Sequence, residues 1–156
     1  MKNENFEHCK AIAMELENIV NDHYKNVDGM PVKVETDSNG YDYLIDDDNN
    51  VYCEAGSDYE TDDSIDIDTL DDFTIYDYFN DVYDIEWTLD SNFNYKGVRL
   101  MVACGGPNIY VDTMTRNVEL YWWSDSAKYS LNMDVVNAID EYFEEYLNAA
   151  GTKPAA

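Results

Sequence analysis

From Val34 to Tyr95 the chain runs for 62 residues without a single lysine or arginine. Within that gap, residues 37–90 hold 16 Asp and 3 Glu. Any fold must keep these carboxylates near water, because burying an ionised carboxylate without a partner is very costly. Their own segment supplies no cation to pair with them. The stretch is nevertheless unlike a solvated acidic tail. Ile65, Ile67, Leu70, Phe73, Ile75, Tyr76, Phe79 and Val82 are interleaved with the acids, and a disordered tail lacks such apolar content. An acidic scaffold is therefore expected, with apolar residues turned inward and Asp turned outward.

The imbalance extends over the whole chain. Lys and Arg number 9 and Asp and Glu number 34, for a formal net charge of −25 over 156 residues. This excludes direct binding to a nucleic-acid backbone, which takes cationic side chains that displace counterions. It also excludes electrostatic anchoring on anionic lipid. Hydrophobic residues at 45% and aromatics at 14% still supply a core. Met1–Lys10 is polar and lacks a signal-peptide pattern, and no apolar run is long enough to span a membrane. Cys9, Cys53 and Cys104 are odd in number and widely spaced. They read as reduced thiols buried as small hydrophobes, in a cytoplasmic setting.

Residues 5–25 read as an amphipathic helix. Phe6, Cys9, Ile12, Ala13, Leu16, Ile19 and Val20 recur at three- and four-residue steps, and Tyr24 closes the stripe. Asp28-Gly29 and Pro31 end it. Val32–Glu35 alternates like a strand, and Tyr41–Ile45 with Val51–Ala55 suits a hairpin. Thr69-Leu70-Asp71-Asp72 has the form of a capping box with Asp in place of Glu, which opens a short helix over 69–81. Asp84–Leu89, Gly97–Cys104, Asn108–Thr113 and Val118–Trp123 are β-rich runs. Gly105-Gly106-Pro107 and Met114–Asn117 are turns between the later runs, short enough to favour antiparallel neighbours. Residues 133–149 form a second helix with Asn132 as N-cap. The expected fold class is α+β: an antiparallel β-meander with the N-terminal and C-terminal helices packed on it, plus an acidic central helical and hairpin segment. One domain over residues 1–150 is expected, with 37–90 resembling an insertion and 151–156 forming a flexible tail.

The residues offer little catalytic chemistry. His8 and His23 both fall on the first helical pattern, about 22 Å apart along a straight axis at about 1.5 Å per residue, so they cannot share a site. Paired carboxylates can act as acid and base, but with 34 acids chance proximity carries no specificity. Gly105-Gly106-Pro107-Asn108 matches no phosphate-loop motif. Asp46, Asp48 and Asn50 have the spacing of the first EF-hand ligands, yet Val51 and Ser57 stand where that loop takes Gly and Glu. Asp58, Glu60, Asp62 and Asp66 form a second loose cluster. No cofactor, no metal and no enzymatic activity of its own are expected. Trp122-Trp123 and the tyrosines lack the basic groove of a single-strand binder.

A negative surface serves solubility, but −25 far exceeds the magnitude of about 2–8 that suffices for a small domain. Capture of a basic surface is the use that fits this field. Alternate residues of a strand lie about 6.6 Å apart on one face, and DNA phosphates recur about every 3.4 Å per strand. Rows of short, stiff Asp therefore offer a nucleic-acid-binding cleft the charge it was built to hold. The expected contact region is residues 42–86, with Asp46, Asp47, Asp48, Asp62, Asp63, Asp66, Asp68, Asp71, Asp72 and Asp77 as partner-binding candidates. The expected partner is a basic nucleic-acid-binding protein.

Gly105–Thr113, then Val118-Glu119-Leu120-Tyr121-Trp122, then Val135–Leu147 resemble a C-terminal pattern of small acidic anti-defence proteins from phages and mobile elements. Such proteins block CRISPR effectors and restriction enzymes, some by imitating DNA. The resemblance covers about a third of the chain and carries no catalytic residue. It implies an inhibitor of a host defence nuclease. An immunity protein neutralising a basic toxin nuclease fits the same physics, and a carboxylate-based hydrolase is the reading from a different class.

Overall fold

The computed structural model describes residues 2–45, 51–53 and 67–150. Helix α1, Lys2–Asn21, buries Cys9, Ala13, Leu16 and Ile19, the stripe that the periodicity predicts. It stops before the expected end at residue 25. Tyr24–Val27 is instead a strand, β1, which turns through Asp28-Gly29 into β2, Met30–Thr36. Asp28 (φ 53°) and Gly29 (φ 86°) are both left-handed, the geometry that a two-residue hairpin turn requires. Strand β3, Asp42–Ile45, and strand β4, Val51–Cys53, complete a four-stranded antiparallel sheet in the order β1–β2–β3–β4. The expected hairpin is thus present, ending at Cys53, and residues 54 and 55 lie outside the described residues.

The helix expected over 69–81 is mostly replaced by other structure. Ile67–Thr69 is a single 3-10 turn. Residues 71–73 then run antiparallel to β1, where Asn26 N donates to Asp71 O at 2.8 Å and Phe73 N donates to Tyr24 O at 2.9 Å. Only Ile75–Tyr78 is helical, as α2. Its N-terminus is set by Thr74, whose N–H donates to the Asp77 carboxylate at 2.9 Å. The capping box falls five residues later than expected because the β1 edge claims the backbone of 71–73.

The second sheet is a five-stranded antiparallel meander in the order β5–β6–β7–β8–β9. Its strands are β5 Asp84–Leu89, β6 Tyr95–Ala103, β7 Asn108–Asp112, β8 Asn117–Trp122 and β9 Asp125–Ser130. Strand β9 is absent from the sequence reading. Helix α3, Met133–Ala150, begins as expected, with Asn132 Oδ1 accepting from Asp134 N at 2.8 Å. Helix α1 lies across β8 and β9, α3 lies across β6, and the two helices touch. Val98, Leu100, Ile109, Val111, Val118 and Leu120 face these helices and meet Leu16, Val135, Ile139 and Phe143 in the main core. A separate small cluster of Val32, Leu44 and Ile67 holds the four-stranded sheet. The fold is α+β, with an antiparallel meander covered by the terminal helices.

The cysteines divide. Cys9 is fully buried, and burial pushes its thiol pKa up. Cys104, just past β6, is exposed, so the buried reading fails for it. The Cys53 side chain and the tail 151–156 lie outside the described residues. Brief iodoacetamide treatment of the native protein is expected to alkylate Cys104 and spare Cys9. Peptide mapping that found both labelled equally fast would contradict this packing. No helix among the described residues is long and apolar enough to cross a membrane.

Candidate functional site

The ten nominated acids do not share one structural situation. Asp46, Asp47, Asp48, Asp62, Asp63 and Asp66 lie outside the described residues, as do the two loose calcium-like clusters apart from their strand neighbours. Asp68 belongs to the 3-10 turn. Asp71 is exposed, with its backbone carbonyl engaged by β1. Asp72 is exposed too, but its Oδ1 lies 2.8 Å from His23 Nε2 and 3.0 Å from Lys25 Nζ. The contact with His23, and then that with Lys25, holds its carboxyl below the usual range. Asp77 caps α2. Asp72 and Asp77 thus hold the chain together locally, while Asp71 remains open to a partner. His23 lies beyond the end of α1, paired with Asp72, rather than on the helix with His8.

Of the seven Lys and Arg side chains among the described residues, four are matched within the fold. Lys25 also donates to Leu70 O at 3.0 Å, and Lys33 lies 3.3 Å from Glu35 and 3.8 Å from Asp22. Arg99 and Lys128 sit on the face of the five-stranded sheet opposite the helices. There the register aligns Glu86, Arg99 and Asp112 in one cross-strand row and Tyr110, Glu119 and Lys128 in the next. Arg99 lies 3.2 Å from Glu86, 3.6 Å from Asp112 and 3.8 Å from Glu119. Lys128 lies 3.6 Å from Glu119, and the Tyr121 hydroxyl donates to Glu119 at 3.0 Å. The Arg99 guanidinium also sits 3.6 Å above the Tyr110 ring. Beneath this cover Glu119 and Asp112 are buried at 4% and 7% exposure.

Internal pairing of this kind leaves other acids facing solvent. Glu4 and Glu7 on α1, Asp81 after α2, Asp84 on β5, and Glu141, Glu144 and Glu145 on α3 are all exposed. Only Asp81 and Asp84 of these fall within the expected contact region 42–86, and the helix acids lie outside it. Their signal was present, since they occupy the side of each helical period opposite the apolar stripe. Among the described residues no group of three His, Cys, Asp or Glu side chains is placed to hold a metal ion.

The aromatic residues around Trp122-Trp123 also divide. Tyr110 and Tyr121 meet edge to face at 6.1 Å on the open sheet, and Trp122 packs against the main core. Trp123 is 88% exposed at the β8–β9 turn, with φ at 53°. A bulky side chain in that left-handed region is strained. Trp123→Asn is expected to raise stability by about 1 kcal/mol, because Asn tolerates this conformation. Chemical denaturation checks it, and a lower midpoint would mean that Trp123 packs usefully in the free protein.

Comparison with protein families, with curated proteins and with solved structures gave no match.

Proposed function

We propose that this protein is an inhibitor that occupies the basic nucleic-acid-binding site of a host defence nuclease, a CRISPR effector or a restriction enzyme, through an acidic surface that stands in for nucleic acid. One observation carries the reading. The chain has a 62-residue stretch free of Lys and Arg, and Lys25, Lys33, Arg99 and Lys128 are matched to carboxylates or carbonyls of the fold. The remaining surface acids can therefore act together on a cationic cleft. Association would be steered electrostatically and weakened by salt. No step of this function asks the protein to turn over a substrate.

Competition tests the reading. The protein is titrated into preformed enzyme–DNA complexes of an RNA-guided nuclease and of restriction endonucleases, over a series of salt concentrations. Displacement of DNA that weakens with salt is expected. Asp46, Asp47 and Asp48 changed together to Lys, or Asp62, Asp63 and Asp66 changed together, would move the net charge from −25 to −19. Each set is expected to weaken displacement on the order of 100-fold while leaving the circular-dichroism spectrum intact. Asp72 and Asp77 are kept out of these sets because their ion pairs and cap support the fold. Simultaneous binding of DNA and this protein to one enzyme, or undiminished inhibition by both variants, would assign the acids to solubility.

A further inference from the structure

Between α2, the start of β5 and α3 lies an open cleft of about 340 Å³, lined by Tyr76, Phe79, Ile85, Tyr142, Phe143 and Tyr146. Its rings are fixed against one another. Tyr76 meets Tyr142 edge to face at 5.2 Å, and Tyr146 stacks on Trp87 with an interplanar angle of 7°. Tyr76 and Tyr146 are nevertheless 52% and 51% exposed. Tyr142 also meets Tyr146 at 6.4 Å, so the three rings converge on the same space, and burial, then the neighbouring Tyr76 and Tyr146, raises the pKa of the Tyr142 phenol. Glu141 and Glu145 lie on α3, the helix that carries Tyr142, Phe143 and Tyr146 of the lining, and are exposed. Among the described residues neither of these two is ion-paired.

We propose that this cleft receives an arginine side chain of the partner, with the guanidinium on the tyrosine rings and within the field of the exposed α3 carboxylates. The proposal rests on the reading of the protein as a ligand for a basic site, and it adds a specific anchor to a diffuse attraction. Aromatic faces attract cations, and a planar guanidinium both stacks and pairs with carboxylate. The fold already contains this combination, where Arg99 lies 3.6 Å above Tyr110 and 3.2 Å from Glu86. A protein of net charge −25 also selects cations over neutral apolar groups at an aromatic cleft. Bound arginine in such a pocket would resist salt better than pairs on an open acidic face, because desolvation weakens screening.

The test uses two small probes on the whole protein, N-acetyl-arginine methylamide and its uncharged isostere N-acetyl-citrulline methylamide. Both are followed by NMR at the Trp87 indole and the tyrosine rings. The arginine probe is expected to shift these signals with at least ten-fold higher affinity than the citrulline probe. Tyr76→Ala with Tyr146→Ala should reduce that affinity at least five-fold. Tyr146→Leu, which keeps an apolar filling over Trp87, should keep the fold and still weaken binding. Trp123→Ala should change nothing. Equal response to both probes, or shifts scattered over the acidic surface with no maximum at the cleft, would overturn the proposal. The same tyrosine variants enter the displacement assay. If wild type and variants displace DNA equally, the anchor fails while the inhibitor reading stands. If wild type displaces no DNA, the inhibitor reading fails and the probe result alone decides the cleft.

Discussion

Replacing Arg99 by alanine is expected to cost about 2–4 kcal/mol of stability, since removing one partner of a buried pair leaves an uncompensated charge. The expectation follows from what Arg99 covers. Glu119 and Asp112 are buried at 4% and 7% exposure on a sheet face that none of the described helices covers. Their environment is made by Arg99, Lys128 and the Tyr110 and Tyr121 rings. Two facts keep the figure below a full buried-pair loss. Lys128 would still attend Glu119 at 3.6 Å, and Asp112 accepts from Met114 N and Thr115 N. Adding Glu119→Gln to the alanine variant removes the stranded charge and should recover about 1–2 kcal/mol, the coupling expected of contacting groups. Urea denaturation of the four proteins of the cycle measures it. A loss under about 0.5 kcal/mol for Arg99→Ala would place the whole cluster among ordinary exposed ion pairs.

That network also shows where sequence reading stops. Arg99, Asp112 and Glu119 lie on three successive strands and meet only through the register of β6, β7 and β8. A single sequence supplies alternation within each strand and no pairing between strands. Helix α3 was legible because one apolar stripe, Val135 to Leu147, and one cap, Asn132, agree. Helix α1 was legible except at its end. Tyr24 fits the helical stripe at four residues from Val20, yet it reaches the same core from β1. The deciding signal was Asp28-Gly29, which reads equally as a helix stop and as a two-residue hairpin turn. Two Thr-x-x-Asp patterns, at Thr69 and Thr74, competed for one helix start, and only tertiary pairing with β1 chose between them. Strand β9, Asp125–Ser130, has just Ala127 and Tyr129 turned to the core and too little β-propensity to stand out. Of the candidate interface, the charge imbalance was fully legible. The structural work of Asp72 and Asp77 and the convergence of Tyr76, Tyr142 and Tyr146 were not, because each depends on which segment packs beside α2.

Leu44→Ala is expected to open the four-stranded sheet while leaving the five-stranded sheet closed. Truncating a buried leucine costs about 2–5 kcal/mol, and Leu44 is fully buried in a cluster whose other buried members are Val32 and Ile67. Among the described residues the main core has eighteen buried members and reaches from Cys9 to Phe143, so it can outlast the loss of its neighbour. Among the described residues the link between the two runs through the backbone pairing of β1 with residues 71–73, the Lys25–Asp72 contact and Tyr24, which reaches the main core from β1. Local opening with its own free energy is the normal behaviour of such a unit. Hydrogen exchange should therefore show lost protection at Lys33, Val34 and Leu44, with protection kept at Leu100, Val111 and Leu120. Leu120→Ala serves as the contrast, since its loss in the main core should weaken both sheets together. If Leu44→Ala also strips protection from β6–β8, the two sheets form one cooperative unit. The functional consequence follows from placement. Residues 46–50 connect β3 to β4, so three of the nominated acids are carried directly by this smaller sheet. If the acids act as charges in fixed rows, Leu44→Ala will impair displacement of DNA from a target nuclease although net charge is unchanged and the main core is intact. Undiminished displacement by that variant would mean that the acids act as a diffuse field, for which a folded scaffold beneath them is unnecessary.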